Sequence, residues 1–246
     1  MNRDDHDTVR TSESSLDRFE ELIPDELLDV SGHAFFTGHD GFSGQRPLYL
    51  LGLNPGGKHP ETVRQQYRDA RVARPDYSAF RVHTWKDESR IDRNVLHLLA
   101  SLSMDPGSVP ASCVVFARTR TEAELRTEFA RMASLCWPFH RAVIDTLGVR
   151  VVVCFGGRGA GFVRQQLGAH QQIDSFVETN NRGWTSTTFV GTSGIQVVQV
   201  THPSRADWRN PAADVSPLVR RALAPDRGRS GLTPLPNQRR IAGLAR

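Results

Sequence analysis

The sequence predicts an α/β fold in which three layers, α/β/α, contain a largely parallel central sheet of about four strands. Short apolar runs rich in β-branched residues alternate along the chain with stretches whose apolar residues recur at helical spacing. The runs predict strands at 48–51, 113–117, 149–155 and 196–200. A chain of 246 residues is long enough for one such domain with additional ends.

Other stretches predict the elements around the sheet. Apolar residues at helical spacing predict helices over 16–30, 91–102 and 121–147, and a short helix over 215–223. Thr121 is expected to cap the third of these helices, and Pro138 is expected to break it in two. Residues 58–90 are expected to form a long polar connection, and 171–194 an irregular region or a hairpin.

The two ends of the chain differ from its centre in composition. Residues 1–17 are polar and charged, so we expect a disordered segment there. Residues 225–246 contain five arginines and few apolar side chains, and we expect a basic flexible tail. A non-specific grip on DNA is the alternative role for that tail. The domain itself is therefore expected to span 18–224.

The distribution of charge is more informative than its total. The net charge is +4, but only two of the 31 basic residues are lysines, and genome composition also produces such arginine dominance. Residues 1–40 carry eleven acids and three arginines, whereas residues 201–246 carry nine arginines and three aspartates. Positive charge beside residue 202 and beyond it would attract a phosphate backbone.

The cysteine pattern and the hydropathy exclude several classes of protein. Cys113, Cys136 and Cys154 are too far apart in sequence for a metal motif or a disulfide framework, and we expect no metal and no cofactor. Neither a signal peptide nor an apolar run long enough to span a membrane is present. We therefore expect a cytoplasmic monomer with reduced thiols.

Two predicted strands end in similar turns. The first is Leu48-Tyr-Leu-Leu-Gly-Leu-Asn-Pro-Gly-Gly57, in which Asn54 follows the strand and precedes a proline. The second is Ile195-Gln-Val-Val-Gln-Val-Thr-His-Pro-Ser-Arg205, in which His202 has the same position. If both strands are parallel, Asn54 and His202 lie at one edge of the sheet, where α/β proteins bind ligands. They would then form a catalytic pair; two ordinary strand-to-loop turns are the alternative.

These turns carry a family resemblance. Gly52-Leu-Asn-Pro-Gly56 resembles the first active-site motif of the uracil-DNA glycosylase superfamily, and His202-Pro-Ser-Arg205 resembles the second. The motifs are about 150 residues apart and occur in the family's order, so the resemblance covers roughly residues 30–210. It implies a DNA-binding hydrolase that cleaves the N-glycosidic bond of a flipped, damaged or deaminated base. DNA, single- or double-stranded, is the implied partner.

The resemblance also implies roles for particular residues. Asn54 would orient the attacking water, and His202 would donate a hydrogen bond to the departing base. The base would be bound by Gly52, Leu53, Pro55 and Gly56, with Tyr77 or Phe80 stacking on it. Ser204, Arg205 and Arg209 would contact the DNA backbone.

Cys113 marks a departure from the family's pattern. The family commonly carries an asparagine at this position, whose amide reads the Watson–Crick edge of uracil. A thiol cannot make the paired hydrogen bonds of an amide. The resemblance therefore implies weak uracil excision, which Cys113→Asn would raise.

Two other classes of function remain open. One is a nucleic-acid-binding member of the fold that has lost catalysis. The other is a Rossmann-like enzyme that binds a nucleotide through Gly156-Gly-Arg-Gly-Ala-Gly161, which is predicted to open a helix at 162–167. Close packing of that helix on the sheet is the simpler explanation of these glycines, since the dinucleotide fingerprint is not in register.

Overall fold

The computed structural model of the chain describes residues 15–57, 59–83, 89–119 and 121–224. The predicted tail at 225–246 lies outside the described residues, and so does most of the predicted disordered segment at 1–17. Residues 15–17 of that segment belong to the first helix.

Helices and strands alternate through the described part of the chain. The helices are α1 (Ser15–Glu20), α2 (Asp25–Leu28), α3 (Val63–Val72), α4 (Ala79–His83), α5 (Arg90–Ser101), α6 (Glu122–Leu125), α7 (Phe129–Leu147), α8 (Gly157–Gln166) and α9 (Ser216–Leu223). The strands are β1 (Leu48–Gly52), β2 (Ala111–Cys113), β3 (Val151–Phe155), β4 (Gln171–Val177), β5 (Thr185–Val190) and β6 (Gln196–Val200). The chain therefore has the predicted α/β class.

The sheet is mixed and contains six strands in the order β2-β1-β3-β6-β5-β4. Its first four strands are mutually parallel and correspond to the four predicted strands, although β2 ends at Cys113 instead of continuing to residue 117. β5 runs antiparallel to β6, and β4 runs antiparallel to β5. The expected number of about four strands is thus too small, because the hairpin at 171–194 pairs with the edge of β6.

Helices cover both faces of the parallel strands. Tyr49 and Leu51 of β1 pack into a buried apolar cluster with α1, α3, α7 and α8. Leu48 and Leu50, which point to the opposite face, pack with α4, α5 and α9. Burial on both faces explains why β1 and β3 are continuous apolar runs without a polar alternation.

Helix α7 continues through Pro138, which corrects the expected break at that residue. Proline inside a helix costs about 3 kcal/mol. Seven buried residues on α7, among them Phe139 and Ile144, offset this cost by packing against the sheet. The predicted 121–147 helix is instead interrupted between α6 and α7, and Thr121 caps α6 as expected.

The predicted helix over 16–30 is also divided, because Pro24 stands at the N-terminus of α2 and separates it from α1. The predicted polar connection 58–90 contains two helices, α3 and α4. Thr62 and Gln65 form a capping box at the start of α3, with their side chains bonded to each other's backbone N–H groups. Local capping therefore creates helices in a stretch whose apolar pattern is weak.

One buried polar pair lies inside the core beneath β1. The hydroxyl of Tyr49 lies 2.8 Å from Nδ1 of His140, and Nε2 of His140 lies 3.3 Å from the carbonyl of Val114. Since a carbonyl only accepts, Nε2 carries the hydrogen and Nδ1 accepts from Tyr49. Burial lowers the pKa of His140 to about 4. The imidazole is therefore neutral at physiological pH.

The described residues contain neither a membrane-spanning helix nor a cluster of metal ligands. None of the helices there combines the length and apolar character that a bilayer crossing requires. No group of three or more His, Cys, Asp or Glu side chains is arranged there to hold a metal ion. The three cysteines are buried thiols, and burial raises the pKa of each.

Candidate functional site

A cleft opens at the edge where the four parallel strands end. Its volume is about 690 Å³, within the range of about 300–1,000 Å³ that is usual for ligand sites. The loops after β1, β3 and β6, the first turn of α8 and the β4–β5 turn contribute to its walls. The lining residues are Leu53, Asn54, Gly56, Ile91, Thr119, Thr121, Phe155, Gly156, Gly157, Arg158, Gly159, Trp184, Thr185, Gln199, Val200, Thr201, His202, Ser204 and Arg205.

Asn54 lies in the cleft with its amide in a fixed orientation. Its Nδ2 donates to the carbonyl of Pro55 at 3.1 Å and to Oγ1 of Thr119 at 2.8 Å. The hydroxyl of Thr119 in turn donates to the carbonyl of Thr121 at 3.0 Å. Because a carbonyl cannot donate, these contacts identify the nitrogen side of the amide. Within the described part of the chain, Oδ1 of Asn54 accepts no hydrogen bond.

The backbone after β1 is tied to the segment that follows β2, and this holds Asn54 in place. The N–H of Val114 donates to the carbonyl of Gly52 at 2.9 Å, and the N–H of Val115 donates to that of Leu53 at 3.0 Å. The segments that follow β1 and β2 thus remain hydrogen-bonded to each other beyond the end of the sheet. Asn54 is consequently presented by a paired segment and not by a free loop.

His202 lines the same cleft from the loop after β6. Its Nδ1 lies 3.2 Å from the backbone nitrogen of Ser204 and 2.8 Å from the hydroxyl of that residue. A backbone N–H only donates, so Nδ1 is an acceptor, and the neutral imidazole carries its hydrogen on Nε2. The ring is therefore in the tautomer that can donate a hydrogen bond from Nε2.

The loop that carries His202 is held by a side chain that the sequence analysis did not single out. Asn94, on α5, is fully buried. Its Nδ2 donates to the carbonyls of Pro203 and Ala206, each at 2.7 Å, and its Oδ1 accepts from the backbone N–H of Trp208 at 2.9 Å. The available signal in the sequence was an asparagine on the apolar face of an amphipathic helix, three positions after Ile91 and four before Leu98, because a buried amide requires polar partners.

The glycine-rich segment forms the start of α8, which begins at Gly157 and not at the predicted residue 162. Gly156 has φ 88°, a conformation that favours glycine, and a Cβ there would lie 3.6 Å from Cδ2 of His202. A Cβ on Gly159 would lie 3.3 Å from Val114, so α8 packs closely on the segment that follows β2. Gly159 thus serves close packing and Gly156 the turn before the helix, whereas a Cβ on Gly161 would meet no atom within 4 Å. The first turn of α8 also faces the cleft.

The charge of the cleft lining is positive. Arg158 and Arg205 line the cleft, and no carboxylate lines it among the described residues. Arg205 is exposed and has no carboxylate partner in the described part of the chain. Arg209, by contrast, forms a two-pronged ion pair with Asp207, with distances of 3.0 and 3.2 Å, and does not line the cleft. Ser204 is exposed at the cleft mouth.

The aromatic residues of the cleft are not the predicted ones. Phe80 is buried against Phe36, with ring centroids 5.9 Å apart, and Tyr77 is half-buried. Neither lines the cleft, because their segment packs over the face of the sheet that carries α5. Phe155 and Trp184 line it instead. Tyr77 and Phe80 therefore do not contribute to the walls of the cleft.

Cys113 is likewise not at the cleft surface. It is only 4% exposed, and it does not line the cleft. It stands opposite Gly52 in the parallel register of β1 and β2, and a Cβ on Gly52 would lie 3.0 Å from its Sγ. Cys113 thus fills space beside a glycine in the sheet and does not contribute to the cleft wall, where a base-binding residue was expected.

Of the remaining residues of the first motif, some line the cleft and others do not. Leu53 and Gly56 line the cleft beside Asn54. Gly52 and Pro55 do not: Gly52 belongs to β1, and Pro55 is buried under the turn. Their contribution is to shape the turn that presents Asn54. The two proposed catalytic residues are therefore brought to one cleft, with part of the predicted base-binding set.

Comparison of the chain with models of protein families, and with curated protein sequences, finds no match.

Proposed function

We propose that this chain is a uracil-DNA glycosylase-like hydrolase, which cleaves the N-glycosidic bond of a damaged or deaminated base flipped out of DNA. One observation carries the proposal: Asn54 and His202 line the same cleft, one with an oxygen that accepts no hydrogen bond from the described residues and the other with a donor nitrogen. Their positions after parallel strands, about 150 residues apart in sequence, support the resemblance of the two motifs.

Asn54 is suited to hold the attacking water. Its nitrogen is engaged by Thr119 and Pro55, and so the water would donate to Oδ1. In the proposed reaction the bond between C1′ of the sugar and the base nitrogen breaks, and the water oxygen bonds to C1′. One water proton leaves with the base. An amide is a weak base, so its contribution is to orient the water, which lowers the barrier by positioning.

His202 is suited to stabilise the departing base. Negative charge develops on the base as the bond to C1′ breaks, and a hydrogen bond from Nε2 to a base carbonyl would become stronger at that stage. The imidazole does not need to be protonated for this role, because its neutral tautomer already has Nε2–H. Such a fixed donor contributes about 10²–10³-fold to the rate in comparable sites.

The walls of the cleft fit an extracted nucleotide. A base cannot be reached inside a duplex, and it must leave the stack to enter such a site. Phe155 at the wall supplies apolar surface for a base, while Arg205 and Ser204 at the mouth are placed to contact phosphates. Phosphate contacts set affinity and position but not base identity. The base that is excised therefore depends on the cleft wall, which Cys113 does not reach.

A second candidate function is supported by the first turn of α8. Gly156, Gly157 and Arg158 line the same cleft, at the positive end of a helix dipole. A free nucleotide whose phosphates lie there would also fill the cleft. This candidate gives no role to Asn54 and His202 as a pair, and for that reason we place it second. Binding of DNA without catalysis is a third possibility for the same cleft.

Release of a base from defined oligonucleotides tests the proposal. Single- and double-stranded oligonucleotides, each with one uracil, hypoxanthine or xanthine, are incubated with excess protein, and abasic sites are detected by alkaline cleavage. We expect abasic product from at least one of these substrates. Thermal stabilisation by free nucleotides, without DNA binding or base release, would instead favour the second candidate.

A further inference from the structure

An exposed tryptophan stands at the cleft in the β4–β5 turn. Trp184 is 37% exposed and lines the cleft. The other two tryptophans within the described residues differ from it: Trp208 is fully buried, and Trp137 is partly buried against the apolar core. A tryptophan combines a large apolar ring with a polar N–H, which is why tryptophans are enriched at binding surfaces.

The ring of Trp184 is held in place by Arg182. The guanidinium carbon lies 4.5 Å from the ring centroid, at a cation–π distance. The same guanidinium donates to the buried carboxylate of Glu178 at 2.9 Å and to the backbone carbonyl of Arg205. Glu178 also accepts from Asn180 at 2.8 Å. The β4–β5 turn is thus fastened to the loop that carries His202, and the indole packs against the guanidinium that joins them.

The surroundings of the indole favour a nucleic-acid partner. The nearby lining supplies Arg205 and no carboxylate within the described residues, so an anionic chain is attracted to this rim. Aromatic side chains beside a basic groove bind unpaired bases by stacking, at about 1–3 kcal/mol per base and with little dependence on base identity. Ordering the ring in advance reduces the entropy lost on binding.

We propose that Trp184 stacks on an unpaired nucleobase next to the base that enters the cleft, which makes the β4–β5 turn a second base-binding position for single-stranded DNA. The inference rests on the proposed function only in taking the cleft as a DNA site. It concerns binding, and it requires no catalysis. It also separates two aromatic roles: Phe155, which is 6% exposed, belongs to the wall of the cleft, and Trp184 belongs to its rim.

Binding of labelled oligothymidylate, measured by fluorescence anisotropy at fixed salt, tests this inference. Trp184→Ala and Trp184→Leu are expected to weaken binding about tenfold, because both remove the aromatic face. Trp184→Phe keeps a stacking surface and is expected to stay within about threefold of the wild type. Val177→Ala is the matched control: Val177 is an exposed apolar residue of the same hairpin, and it does not line the cleft.

An abasic strand of the same length separates stacking from a structural effect. It keeps the phosphates but offers no base, so Trp184→Ala is expected to bind it as well as the wild type does. Equal weakening on oligothymidylate and on the abasic strand would overturn the proposal, because it would show a general defect. Failure of the wild type to bind oligothymidylate, or a Trp184 effect confined to duplex DNA, would overturn it as well.

The same proteins distinguish failure of this inference from failure of the proposed function. If Trp184→Ala binds normally while Asn54→Ala loses base release, the stacking position is wrong and the hydrolase stands. If oligothymidylate binding depends on Trp184 but no substrate base is released, the stacking position stands and the hydrolase is wrong. Thermal unfolding of each Trp184 variant confirms that the comparison is made on folded protein.

Discussion

The amide nitrogen of Asn54 donates to the hydroxyl of Thr119, and the two atoms are 2.8 Å apart. The hydroxyl of Thr119 accepts this hydrogen bond and itself donates one to the carbonyl of Thr121. Hydrogen bonds in such a chain strengthen one another. Thr119 is therefore a positioning residue: it fixes which end of the Asn54 amide faces the cleft.

Replacing Thr119 by valine tests this relationship. The variant keeps the shape of the side chain but removes the hydroxyl, so Asn54 loses one of two hydrogen bonds that orient it. We expect the single-turnover rate of base release to fall about tenfold, which corresponds to one hydrogen bond of about 1–1.5 kcal/mol. DNA affinity should be unchanged. Thr119→Ser retains the hydroxyl and should restore most of the rate; a Val variant as fast as the wild type would remove Thr119 from the site.

Asn94 is expected to stabilise the loop that carries His202. Asn94→Leu removes the side-chain amide that bonds the carbonyls of Pro203 and Ala206 and the backbone N–H of Trp208. Each unsatisfied buried group costs about 1–3 kcal/mol, partly relieved by movement of the loop. We expect the free energy of unfolding in urea to fall by about 2–4 kcal/mol. Asn181→Ala, an exposed asparagine of the β4–β5 turn, is the control and should change it by less than about 0.5 kcal/mol.

Arg205 and Arg209 are expected to differ in their contribution to DNA binding. Arg205 lines the cleft without a carboxylate partner in the described part of the chain, whereas the charge of Arg209 is offset by Asp207. Arg205→Ala should reduce the slope of log affinity against log salt by about one, because one interaction with a phosphate is removed. Arg209→Ala should change that slope less. Equal slopes for the wild type and Arg205→Ala would exclude this role for Arg205.

The buried imidazole of His140 predicts a pH dependence of stability. Its pKa in the folded protein is about 4, because burial disfavours the charged form, against about 6.5 in an unfolded chain. Above about pH 6.5 both states are neutral, and His140 adds no pH dependence. As the pH falls from about 6.5 to 4, the unfolded state gains a proton that the folded state lacks. Stability should therefore fall across this window, by at most on the order of 3 kcal/mol.

Urea unfolding of the wild type and of His140→Met between pH 7 and 4 measures this effect. The substitution removes the titrating group, and so the loss of stability across the window should become smaller in the variant. Other groups remain the same in both proteins, which makes the difference between the two curves the relevant quantity. Parallel curves would show that His140 is not the source of the pH dependence.

The parallel part of the sheet could be predicted from sequence because its central strands, β1 and β3, are buried on both faces. Runs such as Val151–Phe155 are apolar throughout, and the ends of β1 and β6 then place Asn54 and His202 at one edge. The two antiparallel strands, β4 and β5, could not be predicted in this way. β5 is the sequence Thr-Ser-Thr-Thr-Phe-Val, and its pairing with β6 depends on contacts that a local hydrophobic pattern does not contain.

The residues that surround the two motifs were harder to predict, because they reach the site through long-range contacts. Asn94 lies more than 100 positions from the loop it holds, and Trp184 lies at the cleft because the β4–β5 hairpin pairs with β6. Cys113, in contrast, was expected at the site and does not line the cleft. Its position in the chain suggested a residue that hydrogen-bonds the base, but the register of β1 and β2 buries it beside Gly52. Because Cys113→Asn would place an amide in a packed site, the substitution is not expected to create a base reader.

The central claim is that Asn54 contributes to the rate of base release from bound DNA and not to the affinity of the protein for DNA. The most direct measurement is the single-turnover rate of base release by the wild type and by Asn54→Ala, on the best substrate, at protein concentrations that saturate binding to each. We predict a fall of at least about a hundredfold in the rate, with a dissociation constant for DNA within about twofold. Equal rates for the two proteins, or a loss of rate fully explained by weaker binding, would contradict the account.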